Sequence, residues 1–250
     1  MRTNFHRIAY EALDVCNAVE MRWIDDTVRS SGLTEGARAL DIGCGNGSVS
    51  IRLAQAHRLS VDAVELDPAM ADLARSRIAA SEVSASITLL QTRSADVLAV
   101  HPPWDLIVAL GVTEPVGGGV RDPMGMFQGL RAHLAKGGYL LWGDLVWTSE
   151  PPTPVRQLAE AYNTYADHKG WQDAARIAGF EVLSARISPQ EVWDAYARTV
   201  QDAASAWLFS HPGHPDAAGI KASAHRLRLM FEFGRGCLGF GLYLLRKPSD

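Results

Sequence analysis

The sequence predicts an α/β fold: a doubly wound, Rossmann-like, mostly parallel sheet with helices on both faces and a helical cap before it. Three observations carry the prediction. From Ala37 onward, short apolar runs alternate with segments of helical periodicity, the pattern of a parallel sheet whose crossovers are helices. One run, Ala39-Leu-Asp-Ile42, enters a glycine-rich turn, Gly43-Cys-Gly-Asn-Gly47, that opens a helical segment; in open α/β sheets ligands bind at such turns. The 250 residues, 47% of them hydrophobic, suffice for a large core within one domain. Residues 1–35 read as the cap, 36–150 as the ligand-binding core, and 151–250 as further helices and the last strands.

The elements follow in order. Ile8, Leu13, Val19, Trp23, Ile24 and Val28 recur at spacings near three and four, so residues 6–31 read as one or two amphipathic helices. Strands are predicted at Arg38 to Ile42, Val61 to Leu66, Ile87 to Gln91, Asp105 to Leu110 and Tyr139 to Val146. Helices are predicted at Ser48 to Ala56, Pro68 to Ser81 and Pro123 to Leu134, both prolines standing at first-turn positions whose N–H groups are unpaired anyway. After Trp147 the prolines of Thr-Ser-Glu-Pro-Pro-Thr-Pro154 read as a loop. Val155, Leu158, Ala159, Tyr162, Tyr165 and Ala166 then mark a helix, with another around Ala174 to Ala178. A strand at Gly179 to Leu183, helices at Gln190 to Phe209 and Pro215 to Phe233, and a strand at Gly239 to Arg246 complete the chain.

A net charge of -4 argues against a broad basic surface for nucleic acid or anionic lipid. No apolar stretch is long enough to cross a bilayer. Three widely spaced cysteines, Cys16, Cys44 and Cys237, show no paired spacing of the kind that binds metal. A cytoplasmic enzyme without a metal is the expectation, its oligomeric state left open.

Charge decides what the glycine turn holds. Asp41 stands two residues before Gly43, where a pyrophosphate would meet like charge, with an energy on the order of 332/(ε·r) kcal/mol. A ligand carrying an ammonium or sulfonium suits the same carboxylate. The third glycine also comes one residue earlier than in the dinucleotide pattern G-x-G-x-x-G. Glu65 ends the second strand about 20 residues past Gly45, where an acidic side chain accepts hydrogen bonds from ribose hydroxyls. Asp67, followed by Pro68, reads as a helix N-cap.

The ordered runs Ala39-Leu-Asp-Ile-Gly-Cys-Gly-Asn-Gly47, Val64-Glu-Leu-Asp-Pro-Ala-Met70, Trp104-Asp-Leu-Ile-Val108 and Leu134-Ala-Lys-Gly-Gly-Tyr-Leu-Leu141 resemble the motif series of class I S-adenosylmethionine-dependent methyltransferases, over residues 35–150. The flanks resemble a mostly bacterial, small-molecule-type group through Trp147-Thr-Ser-Glu-Pro-Pro152, Val192-Trp-Asp-Ala-Tyr196, His211-Pro-Gly-His-Pro-Asp216 and Gly236-Cys-Leu-Gly-Phe-Gly-Leu-Tyr243. The resemblance implies a seven-stranded sheet with an antiparallel last strand and the cofactor S-adenosyl-L-methionine, leaving as S-adenosyl-L-homocysteine. It implies that Asp41, Gly43, Cys44 and Gly45 hold the methionine moiety, Glu65 the ribose and Leu66 one adenine face, with Leu110 also lining the site. After the third strand this chain has Arg93 where the family has an acidic reader of the adenine amino group. Either Asp96 substitutes after a local shift, or Ser94 and Ala95 read the base. The acceptor implied is a small molecule with an oxygen or nitrogen nucleophile; RNA or protein is the alternative.

In-line methyl transfer relies on positioning, and an acceptor that carries a proton also calls for a base. Glu114, in the glycine-rich loop Gly111 to Gly119, is the best-placed carboxylate, although a solvated loop glutamate fits equally well. His6, Tyr10, Trp147 and Glu150 are further candidates at the same mouth, and Tyr162, Tyr165, Trp171, Trp193, Tyr196, Trp207 and Phe209 are candidates for lining an acceptor pocket or for the core. The second glycine pattern, Gly234-Arg-Gly-Cys-Leu-Gly239, follows a helix and precedes a strand, so it reads as a helix stop. His211 and His214 flank a Pro-Gly turn rather than a metal site.

Overall fold

The computed structural model describes residues 3–100, 103–161 and 163–249; Tyr162 lies outside them. Its strands are β1 (Arg38–Ile42), β2 (Ser60–Val64), β3 (Ile87–Leu90), β4 (Trp104–Leu110), β5 (Leu134–Trp147), β6 (Glu181–Ile187) and β7 (Leu238–Arg246). They form one sheet in the order β3-β2-β1-β4-β5-β7-β6. β1 to β5 pair in parallel, while β7 runs antiparallel between β5 and β6. This is the doubly wound, seven-stranded sheet the sequence predicts.

Two helices, α1 (Phe5–Glu11) and α2 (Met21–Ser31), precede the sheet. α3 (Ser48–His57) and α4 (Pro68–Ala80) connect β1 to β2 to β3; α5 (Ser94–Val100) and α6 (Pro123–Ala132) connect β3 to β4 to β5. α7 (Thr153–Ala159) and α8 (His168–Ile177) lead into β6, and α9 (Gln190–Ser210) and α10 (Ala217–Gly234) into β7. Right-handed crossovers explain the layering: winding outward from β1 in opposite directions puts the helices on opposite faces. Val28, Leu53, Ala74, Trp193 and Phe231 accordingly pack with Ala39 and Val108 on one face, and Val97, Phe127 and Trp171 pack with Leu40 and Ile107 on the other. The second core is aromatic. Phe127 meets Trp142 edge-on with ring centroids 5.2 Å apart, and Trp142 lies 5.4 Å from Trp171; full burial of each such side chain stabilises by roughly 1.5–3 kcal/mol.

Several elements differ from the sequence reading, β5 among them: it starts at Leu134, on the residue read as the end of the preceding helix. β2 ends at Val64, because Glu65 turns its carboxylate onto the backbone N–H groups of Gly45 and Asp67 as the chain enters α4. α5 was not predicted; its seven residues are too few to show a helical period. The prolines after Trp147 do not hold the chain in a loop as far as Pro154: α7 starts at Thr153 and takes Pro154 into its first turn, where a missing N–H is harmless. That helix stops at Ala159, so Tyr165 and Ala166 lie instead in a non-helical stretch bound to the sheet by Trp147 N–H donating to Ala166 O at 3.1 Å. β6 is also longer and later than predicted, as its half-exposed edge residues Ala185 to Ile187 lack a strong alternation. Among the described residues no helix is long and apolar enough to cross a membrane.

Candidate active site

The winding direction reverses between β1 and β4, and there the crevice of a doubly wound sheet opens at the strands' carboxyl ends. The turn after β1 and the loop after β4 line it. Gly43 has φ +65°, and a Cβ on it would sit 2.9 Å from a methyl of Val112, so the two loops approach more closely than any side chain at 43 permits. A Cβ on Gly111, φ +65°, would fall 2.4 Å from Asn17 Oδ1. Asn17 Nδ2 in turn donates to Leu110 O at 3.1 Å, so the segment between α1 and α2 passes directly over the end of β4.

Asp41 and Glu65 meet beneath this turn. Asp41, 3% exposed, accepts a 2.6 Å hydrogen bond from Ser50 Oγ. Burial pushes its carboxyl up to about 7; the Ser50 hydroxyl works against that, and the neighbouring Glu65 adds to it. Glu65, 9% exposed, accepts from Gly45 N–H at 2.9 Å and Asp67 N–H at 2.8 Å. Burial raises it above the usual carboxylate range despite these donors. No cation pairs with either among the described residues. Asp67 caps α4 as predicted, accepting from Ala69 N–H at 2.8 Å. Leu66 is 61% exposed beside them, an apolar side chain with one face uncovered.

Cys44 is buried, its N–H donating to Val64 O at 2.9 Å. Burial holds its thiol well above the ordinary range and pushes that of Cys16 up to about 12, so both are neutral small groups rather than thiolate nucleophiles. Leu110 is 8% exposed at the end of β4. Ser94 and Ala95 open α5 against the loop after β4: Ser94 Oγ donates to Pro115 O at 2.7 Å, and a Cβ on Gly117 would lie 2.9 Å from Ala95 Cβ. Arg93 and Asp96 are exposed, Asp96 accepting from Thr92 Oγ1 at 3.3 Å.

Glu114 has φ +52°, uncommon for a residue with a Cβ. Its carboxylate is held across its own loop by Arg121, whose Nε donates at 2.6 Å. Trp147 and Glu150 are drawn toward α7 instead of the crevice: Trp147 Nε1 donates to Glu160 at 3.1 Å, and Glu150 pairs with Arg156 at 3.2 Å. Of the aromatic candidates, Trp171 and Trp193 are core, Trp207 stacks on His211, and Phe209 is 88% exposed. Tyr196 meets the cap, its hydroxyl 3.4 Å from Tyr10 Oη and from Cys16 O; His6 stacks on Tyr10 with centroids 5.5 Å apart.

Sequence reasoning missed the residues that tie the cap down. Asn46 Nδ2 donates to Tyr10 O at 3.1 Å and Leu13 O at 2.9 Å, Arg77 donates to Glu11 O at 2.7 Å, and Asn4 donates to Asp67 Oδ2 at 2.6 Å. Only Asn46, inside the glycine turn, had a local signal; the others act across more than sixty residues of chain.

Residues 40–140 match a family model described as a methyltransferase domain. The chain is similar to the uncharacterized protein YjhP of Escherichia coli, at 24% identity over 214 residues and 84% of each chain; the X-ray structure of YjhP matches with a TM-score of 0.82 at 22% identity, over 97% of this chain and 99% of that one. A SAM-dependent methyltransferase from Geobacter sulfurreducens, solved in complex with S-adenosyl-L-homocysteine, gives a TM-score of 0.82 at 21% identity, covering 98% of both chains. The 27-O-demethylrifamycin SV methyltransferase of Amycolatopsis mediterranei is 24% identical over 226 residues, covering 87% of this chain and 79% of the relative. Shorter matches, over 51% and 60% of the chain, are to a tRNA1(Val) (adenine(37)-N6)-methyltransferase of Aeromonas salmonicida and a ribosomal protein L11 methyltransferase of Thiobacillus denitrificans. Residues 40–140 thus match a methyltransferase domain, and the seven-stranded sheet of order β3-β2-β1-β4-β5-β7-β6 gives the chain the Rossmann-like fold of S-adenosylmethionine-dependent methyltransferases.

Proposed function

We propose that the chain methylates an oxygen or nitrogen nucleophile of a small molecule, using S-adenosylmethionine bound across the ends of β1, β2 and β3. The observation that carries the cofactor reading is the Asp41–Glu65 pair: two buried carboxylates with no cation paired to them among the described residues, flanked by glycine backbone. Such a site repels pyrophosphate and suits a ligand bearing an ammonium and a sulfonium. The Geobacter sulfurreducens neighbour, bound to S-adenosyl-L-homocysteine, supports the same reading.

When bound, S-adenosylmethionine supplies a methyl carbon already activated by its sulfonium, which leaves positioning to the protein. Asp41 and the backbone of Gly43, Cys44 and Gly45 would hold the methionine moiety, and Glu65, oriented by Gly45 and Asp67, would accept from the ribose hydroxyls. Leu66 would cover one adenine face, with Ser94 and Ala95 at the base's edge and Leu110 under the reacting end. Glu114, held by Arg121 across the loop after β4, would take the acceptor's proton. A small-molecule acceptor is favoured by the net charge of -4 and by the similarity to the rifamycin methyltransferase over most of the chain; the tRNA and ribosomal-protein matches extend over much less of it.

The test is methyl transfer from methyl-labelled S-adenosylmethionine to a panel of small phenols, alcohols and amines, with total tRNA and ribosomal protein as parallel acceptors and mass-spectrometric readout. The reading expects label in a small molecule and at least a hundredfold lower kcat in Glu114→Gln with unchanged S-adenosylhomocysteine affinity. Label confined to tRNA or protein would refute the small-molecule reading.

A further inference from the structure

A second buried carboxylate site lies on the other side of β4, and nothing above uses it. Asp144 is 2% exposed in β5, one residue past Gly143, whose carbonyl accepts from Gly111 N–H at 2.7 Å. Neighbouring strands lie about 5 Å apart, so Asp144 stands beside the root of the loop that carries Glu114. Its donors among the described residues are Leu145 N–H at 2.8 Å and Asn163 Nδ2 at 3.2 Å; no cation pairs with it. Burial, opposed only by the Leu145 N–H, pushes its carboxyl up to about 8.

Asn163 is 3% exposed, and its Oδ1 has no hydrogen-bond partner among the described residues. A buried polar atom left without a partner destabilises by about 1–3 kcal/mol, and such atoms in native proteins demand a reason. Tyr243 adds a third group. Gly241 is the register partner of Asp144 on β7, and a Cβ there would lie 2.6 Å from Tyr243 Oη; the absent side chain lets the Tyr243 ring lean toward Asp144. Tyr243 Oη is 3.1 Å from His168 Nδ1, and Asp144 raises the hydroxyls of both Tyr243 and Tyr165, after burial. An uncompensated carboxyl, an orphan amide oxygen and neighbouring phenol rings together match one chemical group, a protonated or N–H-bearing amine. Asn163 lies in the non-helical stretch between α7 and α8, next to exposed Thr164.

We propose that Asp144 and Asn163 form the subsite that receives an amino group of the acceptor, with Asn163 Oδ1 and the Asp144 carboxylate accepting its N–H bonds. This rests on the methyltransferase reading and narrows its acceptor class to amines.

Asp144→Asn tests it cleanly. The new amide can donate to Asn163 Oδ1, which satisfies the orphan oxygen while removing the carboxyl that an ammonium group would ionise on binding. Calorimetry first establishes S-adenosylhomocysteine binding to wild type, Asp144→Asn and Asn163→Leu. Ligand-observed NMR on the loaded proteins then compares benzylamine, benzyl alcohol and toluene. The proposal expects benzylamine to bind wild type at least tenfold tighter than benzyl alcohol, and that preference to vanish in both variants while S-adenosylhomocysteine affinity stays within twofold. Equal affinity for amine and alcohol, an amine preference that survives in Asp144→Asn, or no probe binding at all overturns the subsite but leaves the cofactor reading intact. Failure of S-adenosylhomocysteine to bind wild type strikes the cofactor reading instead.

Discussion

The two halves of the sheet treat their buried carboxylates differently. At the ends of β1 and β2, the Glu65 oxygens meet backbone N–H groups of the glycine turn and of the α4 cap, and Asp41 meets the Ser50 hydroxyl. No one of these contacts spans more than 20 residues of sequence. In β5, Asp144 meets Asn163, which lies between α7 and α8 and keeps an oxygen unpaired among the described residues. The difference separates two tasks. A prearranged site whose hydrogen bonds are closed suits a ligand held in one fixed pose, whereas a site with a hydrogen bond left open suits a ligand that supplies the missing donor.

The contrast breaks most readily at Glu65. Glu65→Ala removes the ribose acceptor and the group that orders Gly45 and Asp67; losing charge-assisted bonds of about 3 kcal/mol in all weakens S-adenosylhomocysteine binding by about a hundredfold in calorimetry. Gly111→Ala probes the seam between the halves. Its methyl would collide with Asn17 Oδ1 in a left-handed conformation, so thermal unfolding should show a loss of about 1–3 kcal/mol, or roughly 2–4 °C per kcal/mol for a chain of this size.

The pH dependence of stability sharpens the comparison further. Asp144, at about 8, and Asp41, at about 7, both lie above the value of 3.8 they would have in an unfolded chain. In that interval the folded state holds protons the unfolded state has released, so stability is full below about pH 4 as regards these groups and falls as pH rises toward 7 for Asp41 and 8 for Asp144. The slope is on the order of 1 kcal/mol per pH unit for each group. Denaturant melts from pH 5 to 9 should show the fall. Asp144→Asn should make it shallower up to about pH 7 and flatten it between 7 and 8, with or without cofactor, whereas saturating S-adenosylmethionine should remove only the Asp41 contribution. The smallest effect is expected at Leu66: truncation to Ala removes roughly 1 kcal/mol of apolar cover from the adenine face, about a fivefold loss in affinity.

The legible part of the molecule is the part with local causes. The alternation that predicts β1 to β5, the glycine turn, Glu65 and the Asp67–Pro68 cap are all read from neighbouring residues. What escaped the sequence has nonlocal causes. α5 is too short for its period to register, and the early end of α7 reflects Trp147 and Ala166 pairing as extended chain. Asn17, Arg77 and Asn163 look like ordinary surface polar residues until the fold brings them to Leu110, Glu11 and Asp144. Asp144 itself sits in an apolar strand pattern that gives no hint of its partners.

The most direct test of the electrostatic account of the β1–β2 site is calorimetric titration of the wild-type protein with S-adenosylhomocysteine, S-adenosylmethionine and NADH under one set of conditions. The account predicts one-to-one binding of both adenosyl compounds and none of the dinucleotide. Uptake of NADH with indifference to S-adenosylmethionine would contradict it.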